Sequence, residues 1–470
     1  MKSVVVIGAG ISGLATAYAI ERRAAAKGLA LRVQVIEKEE HIGGKIQSVR
    51  QDGYLCEWGP NGFLDNKPMT LELCSGLGIS DRLLRSNDNA RKRFIYADGT
   101  LHRLPENGPA FFQSKLISWP GKLRLACELM VPPRTDGADE TLADFARRRL
   151  GPEALQKLIG PMVSGIFAGD PETMSLRSCF PRIAELEREH GGLIKAMLKL
   201  AKKKRRERKE GKQVAGAAGP GGVLTSFKDG IQELVDYCVR GIEGEIRTGV
   251  SVEAIAAKDD GYSLTLGNGE ELSADLVVSA ASAHALAGMV RAMDPAAATL
   301  LDAIPYAPML VVSFGYERQK VARDLDGFGY LVAKGEKANT LGTLWDSSMF
   351  THRAPEGKVL LRSMMGGATR PEVLSLSDEE VRRSVQADLR RIMGIEAQPD
   401  FVNIYRHRRA IPQYVTGHAV RLRSLQERFD RFPGFFHTGN AFGGVGINDC
   451  VGSANLCADR LIAWIGTRDR

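Results

Sequence analysis

Lys2-Ser-Val-Val-Val-Ile-Gly8-Ala-Gly10-Ile-Ser-Gly13 opens the chain, and the reading of these twelve residues decides the fold. The β-branched run Ser3–Ile7 predicts a buried parallel strand. It enters Gly8-x-Gly10-x-x-Gly13, and an Ala-rich helix is expected from Leu14 to about Lys27. A second apolar run, Leu31-Arg-Val-Gln-Val-Ile36, ends at Glu37. Gly8 makes a tight turn, Gly10 lets backbone approach a pyrophosphate, and Gly13 lets helix pack on strand. The helix N-terminus, with Ile11 and Ser12 in its approach, offers unpaired N–H groups and partial positive charge to the phosphates. Glu37, followed by Lys38, accepts from a ribose hydroxyl. Strand, loop, helix and answering acid together predict a dinucleotide site and an α/β fold.

The remaining composition is that of a globular enzyme. The chain has 470 residues, 44% hydrophobic and 26% charged, so more than one domain is expected. No run of about 18 apolar residues is free of glycine or charge, so no helix is predicted to span a bilayer. The apolar opening Val4–Ile20 has the hydrophobicity of a signal peptide, but its phosphate-loop glycines assign it to the fold. The net charge of +8 is concentrated in Lys202–Lys212 (KKKRRERKEGK), which holds eight basic and two acidic residues. So local a run predicts a solvated segment or contact with anionic lipid, where each cation near the surface is worth roughly 1 kcal/mol, and not a nucleic-acid partner. The seven cysteines show no C-x-x-C spacing and no histidine partner at metal-site distance, so neither zinc nor disulfides are expected.

Six residues beyond Glu37 stands Gly43-Gly44-Lys45, followed by Glu57-Trp58-Gly59-Pro60-Asn61-Gly62. The spacing E-x5-GG-[KR] resembles the flavin amine oxidase and phytoene desaturase superfamily, where it extends the FAD fingerprint. FAD is therefore expected rather than NAD, with Lys45 adding a charge. No cysteine motif for a covalent flavin is present, so the FAD is expected to be non-covalent. Near the other chain end, Phe435-Phe-His-Thr-Gly439-Asn440 leads into Gly443-Gly-Val445-Gly446-Ile447 and a helix expected from Cys450 to Ile465. In the superfamily this second loop places a helix N-terminus at the flavin ring. Between the ends, Arg247–Val252 precedes a hairpin turning at Asn268-Gly269, then the strand Ala274–Ala281. By resemblance Val252 contacts the adenine, and Ala280 passes close to the cofactor. The FAD domain is thus expected to be discontinuous and Rossmann-like: residues 1–86, 215–304 and 405–470.

Two insertions interrupt it. Residues 87–104 form a hairpin turning at Asp98-Gly99 and residues 305–404 a mixed-sheet substrate domain. Residues 105–214 form a mostly helical, membrane-associating region, whose Pro109–Pro120 mixes aromatic, aliphatic and basic residues. Across these insertions the chain resembles oxygen-dependent protoporphyrinogen oxidase. The resemblance rests on Ser164-Gly165-Ile-Phe167-Ala168-Gly-Asp170, Leu176-Arg-Ser-Cys-Phe-Pro181 and Glu187-Arg-Glu-His190. It extends through Gly327-Phe-Gly-Tyr-Leu331-Val, Leu361-Arg-Ser-Met364-Met-Gly-Gly367, Ile411-Pro-Gln-Tyr414 with His418, and Gly443–Asp449. It covers essentially the whole chain. Position by position it implies a substrate pocket of Arg93, Gly165, Leu331 and Met364, with Phe167 and Ala168 beside Gly165. Ser164 departs from relatives that carry Arg there, which puts a second anion contact in doubt.

The resemblance implies oxidation of protoporphyrinogen IX to protoporphyrin IX by hydride transfer to flavin N5, with O2 as acceptor, H2O2 as co-product and no obligatory side-chain acid or base. Coproporphyrinogen III oxidase is the alternative, which four propionates would equip with more basic groups. An amine oxidase of the wider superfamily and a porphyrin carrier with vestigial flavin are the remaining readings. The expected location is cytoplasmic, peripheral on the inner face of the cell membrane. A ferrochelatase partner and a homodimer are left open by the sequence.

Overall fold

The computed structural model describes residues 1–209 and 222–468. Residue Lys212 of the basic run and the expected 214/215 boundary lie outside them. The α/β expectation holds, with helices on parallel and mixed sheets.

The nucleotide-binding core is a five-stranded sheet assembled from remote segments. In spatial order it runs Glu245–Arg247, Leu31–Ile36, Lys2–Ile7, Leu276–Ser279, Phe435–His437, all parallel. Its central strands are buried on both faces, which is why they read as unbroken apolar runs. On one face lie the helices Ile11–Ala26 and Ile447–Arg468, packed on each other. Both helices begin three residues earlier than expected, directly after Gly10 and Gly446. The third glycine of the motif therefore lies inside the first helical turn, not before it. The opposite face is covered by a three-stranded antiparallel sheet containing Val252–Lys258 and by the helices Ala283–Val290 and Pro295–Asp302.

The second sheet has seven strands in the order Phe401–Pro412, Tyr306–Glu317, Lys358–Gly366, Thr340–Leu344, Gly329–Val332, Arg93–Ala97, Thr100–Arg103. It is antiparallel except where Gly329–Val332 runs parallel to Arg93–Ala97, so it is mixed. Its edge strand Phe401–Pro412 continues through the expected 404/405 boundary. One face is sealed by the helix Asp378–Met393, whose Val381, Val385 and Leu389 pack against Leu310, Val312 and Leu361. The other face points toward the flavin-type domain and the helical insertion.

The helical insertion is pinned by buried charge. Arg149, fully buried, is held by Glu128 at 2.8 Å and Glu187 at 2.7 Å, and Glu128 also caps the backbone of Leu193 and Ile194. In Pro109–Pro120, Leu116 and Ile117 join the core while Phe112 and Trp119 are 58% and 70% exposed. Leu123, Met130, Met197 and Leu198 are exposed on the same group of helices. Lys202–Lys209 prolong the helix Leu193–Lys209.

Candidate active site

Parallel strands that point the same way release their helices at the same sheet edge. Lys2–Ile7 and Phe435–His437 do so here, and both helix N-termini converge on one crevice. Ala280, just past Leu276–Ser279, sits between the two loops. Its backbone is 3.4 Å from a Cβ built on Gly8 and 3.7 Å from one built on Gly439. Gly8 has φ of +100°, and a Cβ on Gly13 would lie 1.8 Å from the Gly8 carbonyl, so no side chain is tolerated there. Gly10 is different. A Cβ there meets no protein atom within 4 Å, so it would project into the cradle itself.

The Gly43–Gly44 turn lies directly against this cradle. Gly43 N–H donates to Ala9 O at 2.9 Å and pairs as an isolated bridge with Gly10. Glu37 is buried, its carboxylate accepting from Ala9 N–H at 2.7 Å and Glu39 N–H at 3.0 Å. Val250 N–H bonds Glu37 O, which brings the approach to buried Val252 beside the acid. Val445 borders the apolar cluster of Phe167 and Tyr414, and Ile447 is buried against the first helix. This donor set, two helix N-termini and a buried acid around a cradle, fits FAD. Two of the expected cofactor residues aim elsewhere. Lys38 pairs with Glu39 at 2.7 Å on the surface. The Lys45 ammonium donates to Ala410 O and lies 5.4 Å from the Tyr306 ring, and burial pushes its pKa down to about 8.

Gly59, Pro60, Asn61 and Gly62 form the seam between flavin domain and substrate sheet. Asn61 Nδ2 donates to Asp346 Oδ1 at 3.0 Å, which directs its buried Oδ1 away from that carboxylate. Asp346 pairs with Arg362 at 3.0 Å, and Arg362 donates to Glu57 O and Gly59 O. Glu57 in turn pairs with Arg353, both fully buried. Trp58 stacks on Tyr405 at 3.9 Å. Sequence reasoning assigned no role to Arg362, Arg353 or Asp346. Charge inside the apolar run Val359–Met365 was the available signal.

The sheet face that meets the seam also carries the expected substrate residues, since Arg362 and Met364 alternate onto one side of their strand and Tyr405 stacks on Trp58. Ile95, Leu331, Gly342, Met364, Val311 and Tyr405 are successive cross-strand partners, so they share one row. Gly342 seats the Leu331 side chain, whose Cδ2 would lie 2.9 Å from a Cβ there, and Leu331 and Met364 are both half-buried. A Cβ on Gly165 would lie 2.9 Å from Leu331, so the helix Gly160–Phe167 presses its glycine onto that side chain. Arg93 is two residues from Ile95 and therefore on the same face. It is half-buried, 5.5 Å from the Phe328 ring, and desolvation lowers its pKa. Its acidic neighbour Glu106 pairs with Arg103 instead. Ala168 holds a left-handed backbone, φ +48°, and packs with Met309, Val311 and Met364. The Phe167 ring turns into the helical core, against Phe180 and Tyr414, so only its backbone is directed to the sheet side.

Comparison with known proteins agrees with this geometry. The family model for flavin containing amine oxidoreductase matches residues 11–462. Coproporphyrinogen III oxidase of Bacillus subtilis (strain 168) is 32% identical, covering 99% of this chain and 98% of its own. Chloroplastic protoporphyrinogen oxidase of Nicotiana tabacum is 31% identical, covering 98% of this chain and 85% of its own. A solved structure from Exiguobacterium sp. 255-15 is 27% identical with a TM-score of 0.82, covering 98% of both chains. The chain therefore belongs to the flavin containing amine oxidoreductase family and is an FAD-dependent oxidoreductase.

Proposed function

We propose that the chain oxidises protoporphyrinogen IX to protoporphyrin IX, binding the macrocycle between the flavin and the Leu331–Met364 row. The observation that carries this reading is Arg93, a desolvated cation at the end of an otherwise apolar wall. A guanidinium in that setting favours a carboxylate partner, and the planar apolar row beside it favours a flat ring. FAD held by the two glycine loops and Glu37 would supply the oxidant, with O2 as terminal acceptor, so that removing six hydrogens in three rounds would consume three O2 and give three H2O2. The chain's own residues place the substrate. Arg93 binds one propionate, Gly165 and Gly342 seat the Leu331 side chain between them, and Leu331 and Met364 hold the ring faces. No side chain is needed as acid or base. His407 Nε2 donates to Trp58 O at 2.8 Å with its pKa lowered by burial, and the Tyr414 phenol is engaged and shifted upward by burial. Both stay neutral at pH 7.

A second reading is coproporphyrinogen III oxidation, favoured by the 32% identity to the Bacillus subtilis enzyme of that name. Four propionates would call for more cations than the row bears. The test is kcat/KM for both porphyrinogens, with anaerobic bleaching of the flavin as a direct readout. Preference for protoporphyrinogen by tenfold or more supports the first reading, and the reverse preference replaces it with the second. No bleaching with either removes both.

The exposed Trp119, Leu123, Met130, Met197 and Leu198, alongside exposed Lys195 and Lys199, support peripheral contact with an anionic membrane. No helix of the described residues is long and apolar enough to cross one.

A further inference from the structure

We infer that Tyr414 and Gln413 are positioning residues that hold the flavin loop and the wall of the substrate pocket at one spacing. Tyr414 lies just beyond the strand Phe401–Pro412 and is buried. Its hydroxyl donates to Asn440 O and accepts from Gly444 N–H at 3.0 Å. It thereby closes the ends of the 440–444 turn, the segment that delivers the second helix N-terminus to the cofactor crevice. Gln413 faces the other way. Its Nε2 donates to Phe167 O at 2.8 Å and to Ile411 O at 3.0 Å, and a Cβ on Gly169 would lie 2.8 Å from its Oε1. That grip falls on the C-terminal end of the helix Gly160–Phe167, whose Gly165 presses on Leu331 and whose cap is the left-handed Ala168.

Two consecutive side chains of one segment thus hold two elements that are far apart in sequence. The segment itself is stiffened from both sides. Tyr414 O accepts from Ser175 N–H at 2.8 Å, and the Tyr414 ring stacks on His418 at 4.4 Å with an interplanar angle of 12°. His418 is buried, and its ring nitrogens have no side-chain partner. Its role in this arrangement is a flat surface for the phenol ring, which fixes where the hydroxyl points. A phenylalanine could fill the same space as Tyr414 without reaching either loop atom. A hydrogen-bond donor therefore is what the position requires, beyond aromatic bulk.

The flavin half of this inference depends only on FAD binding, whereas the Gln413 half rests on the substrate reading above. The experiments separate them. Tyr414→Phe is expected to fold with a melting temperature near that of the parent, to bind FAD about two- to tenfold more weakly, and to shift the flavin midpoint potential or visible band. An unchanged affinity, potential and spectrum in Tyr414→Phe would overturn the role of the hydroxyl, whatever the substrate proves to be. Gln413→Met is expected to keep the FAD affinity while raising KM for protoporphyrinogen and slowing anaerobic flavin reduction. Parent-like KM and reduction rate would overturn the second grip. If the parent protein oxidises no porphyrinogen, the substrate reading fails while the Tyr414→Phe flavin measurements still decide the first grip. Hydrogen exchange of the unmodified holoenzyme adds an independent check. Protection of the Gly444 amide is expected, and its exchange at the rate of an open loop would overturn the clamp even if neither variant folds.

Discussion

Arg93 carries the specificity argument at the residue scale. A charge-assisted hydrogen bond is worth about 1.5–3 kcal/mol, so Arg93→Ala should raise KM for protoporphyrinogen about ten- to a hundredfold. The flavin spectrum and dithionite reduction should be unchanged, and Arg93→Lys should recover only part of the loss because the ammonium lacks the planar fork. A parent-like KM in stopped-flow or steady-state assays would remove Arg93 from the pocket. The same scale shows what could be read in advance. Gly8, Gly10, Gly13 and Glu37 follow from backbone sterics and hydrogen bonding within a short segment, so their placement in one loop was legible in the sequence. Lys45 was not. Its charge was expected near the diphosphate, but its ammonium bonds a carbonyl in a strand some 365 residues away, a partner that only folding brings near.

At the scale of elements, the seam between the two sheets is held by buried ions rather than by apolar packing alone. Glu57 and Arg353 leave water completely, and their bond links the flavin-side turn Gly59–Gly62 to the segment before Lys358–Gly366. Breaking such a pair strands a charge and typically costs about 3–5 kcal/mol. Glu57→Gln should therefore lower the melting temperature by several degrees and weaken FAD retention, whereas replacing both residues by apolar ones should cost less. Calorimetry with and without added FAD checks both. The exposed apolar residues on the helical insertion form a second element-scale case. Trp119→Ser with Leu123→Ser should reduce co-sedimentation with vesicles containing anionic lipid and leave thermal stability nearly unchanged, because neither side chain is buried. Equal sedimentation of parent and variant would exclude this surface as the contact. Hairpins were the most legible elements: Asp98-Gly99 and Asn268-Gly269 are local turn signals, and the strands flank them as expected. Both helix starts were misplaced by three residues, since the glycine loop's geometry decides where the first turn closes.

The whole molecule stores its acid sensitivity in buried histidines. Burial holds His284, His418 and His437 down to about 4, below the usual value near 6.5. Between these limits the unfolded chain binds protons that the folded chain does not, so stability falls as pH drops from about 6.5 to about 4. Buried His418 contributes up to about 3 kcal/mol to that loss, and half-buried His284 less because solvent screens its charge. Urea midpoints should decline across this window, with His418→Phe flattening the slope there, and should keep falling below it as carboxylates held down by cations, such as Asp294 at about 2, take up protons. A pH-independent midpoint between 7 and 4 would contradict the burial of these rings.

By itself the sequence determined the flavin-type loops, the discontinuous α/β core and the family resemblance of the inserted segments. These depend on local backbone geometry and on ordered motifs, both of which survive in one dimension. Only the tertiary structure decided which side chains meet across the seam: Asn61 with Asp346, Glu57 with Arg353, Tyr414 with the Asn440–Gly444 turn. Such pairings come from strands and loops separated by tens to hundreds of residues. Their physical cause is the exclusion of water from the space between two sheets, which makes an unpaired charge there costly and favours the pairings that form.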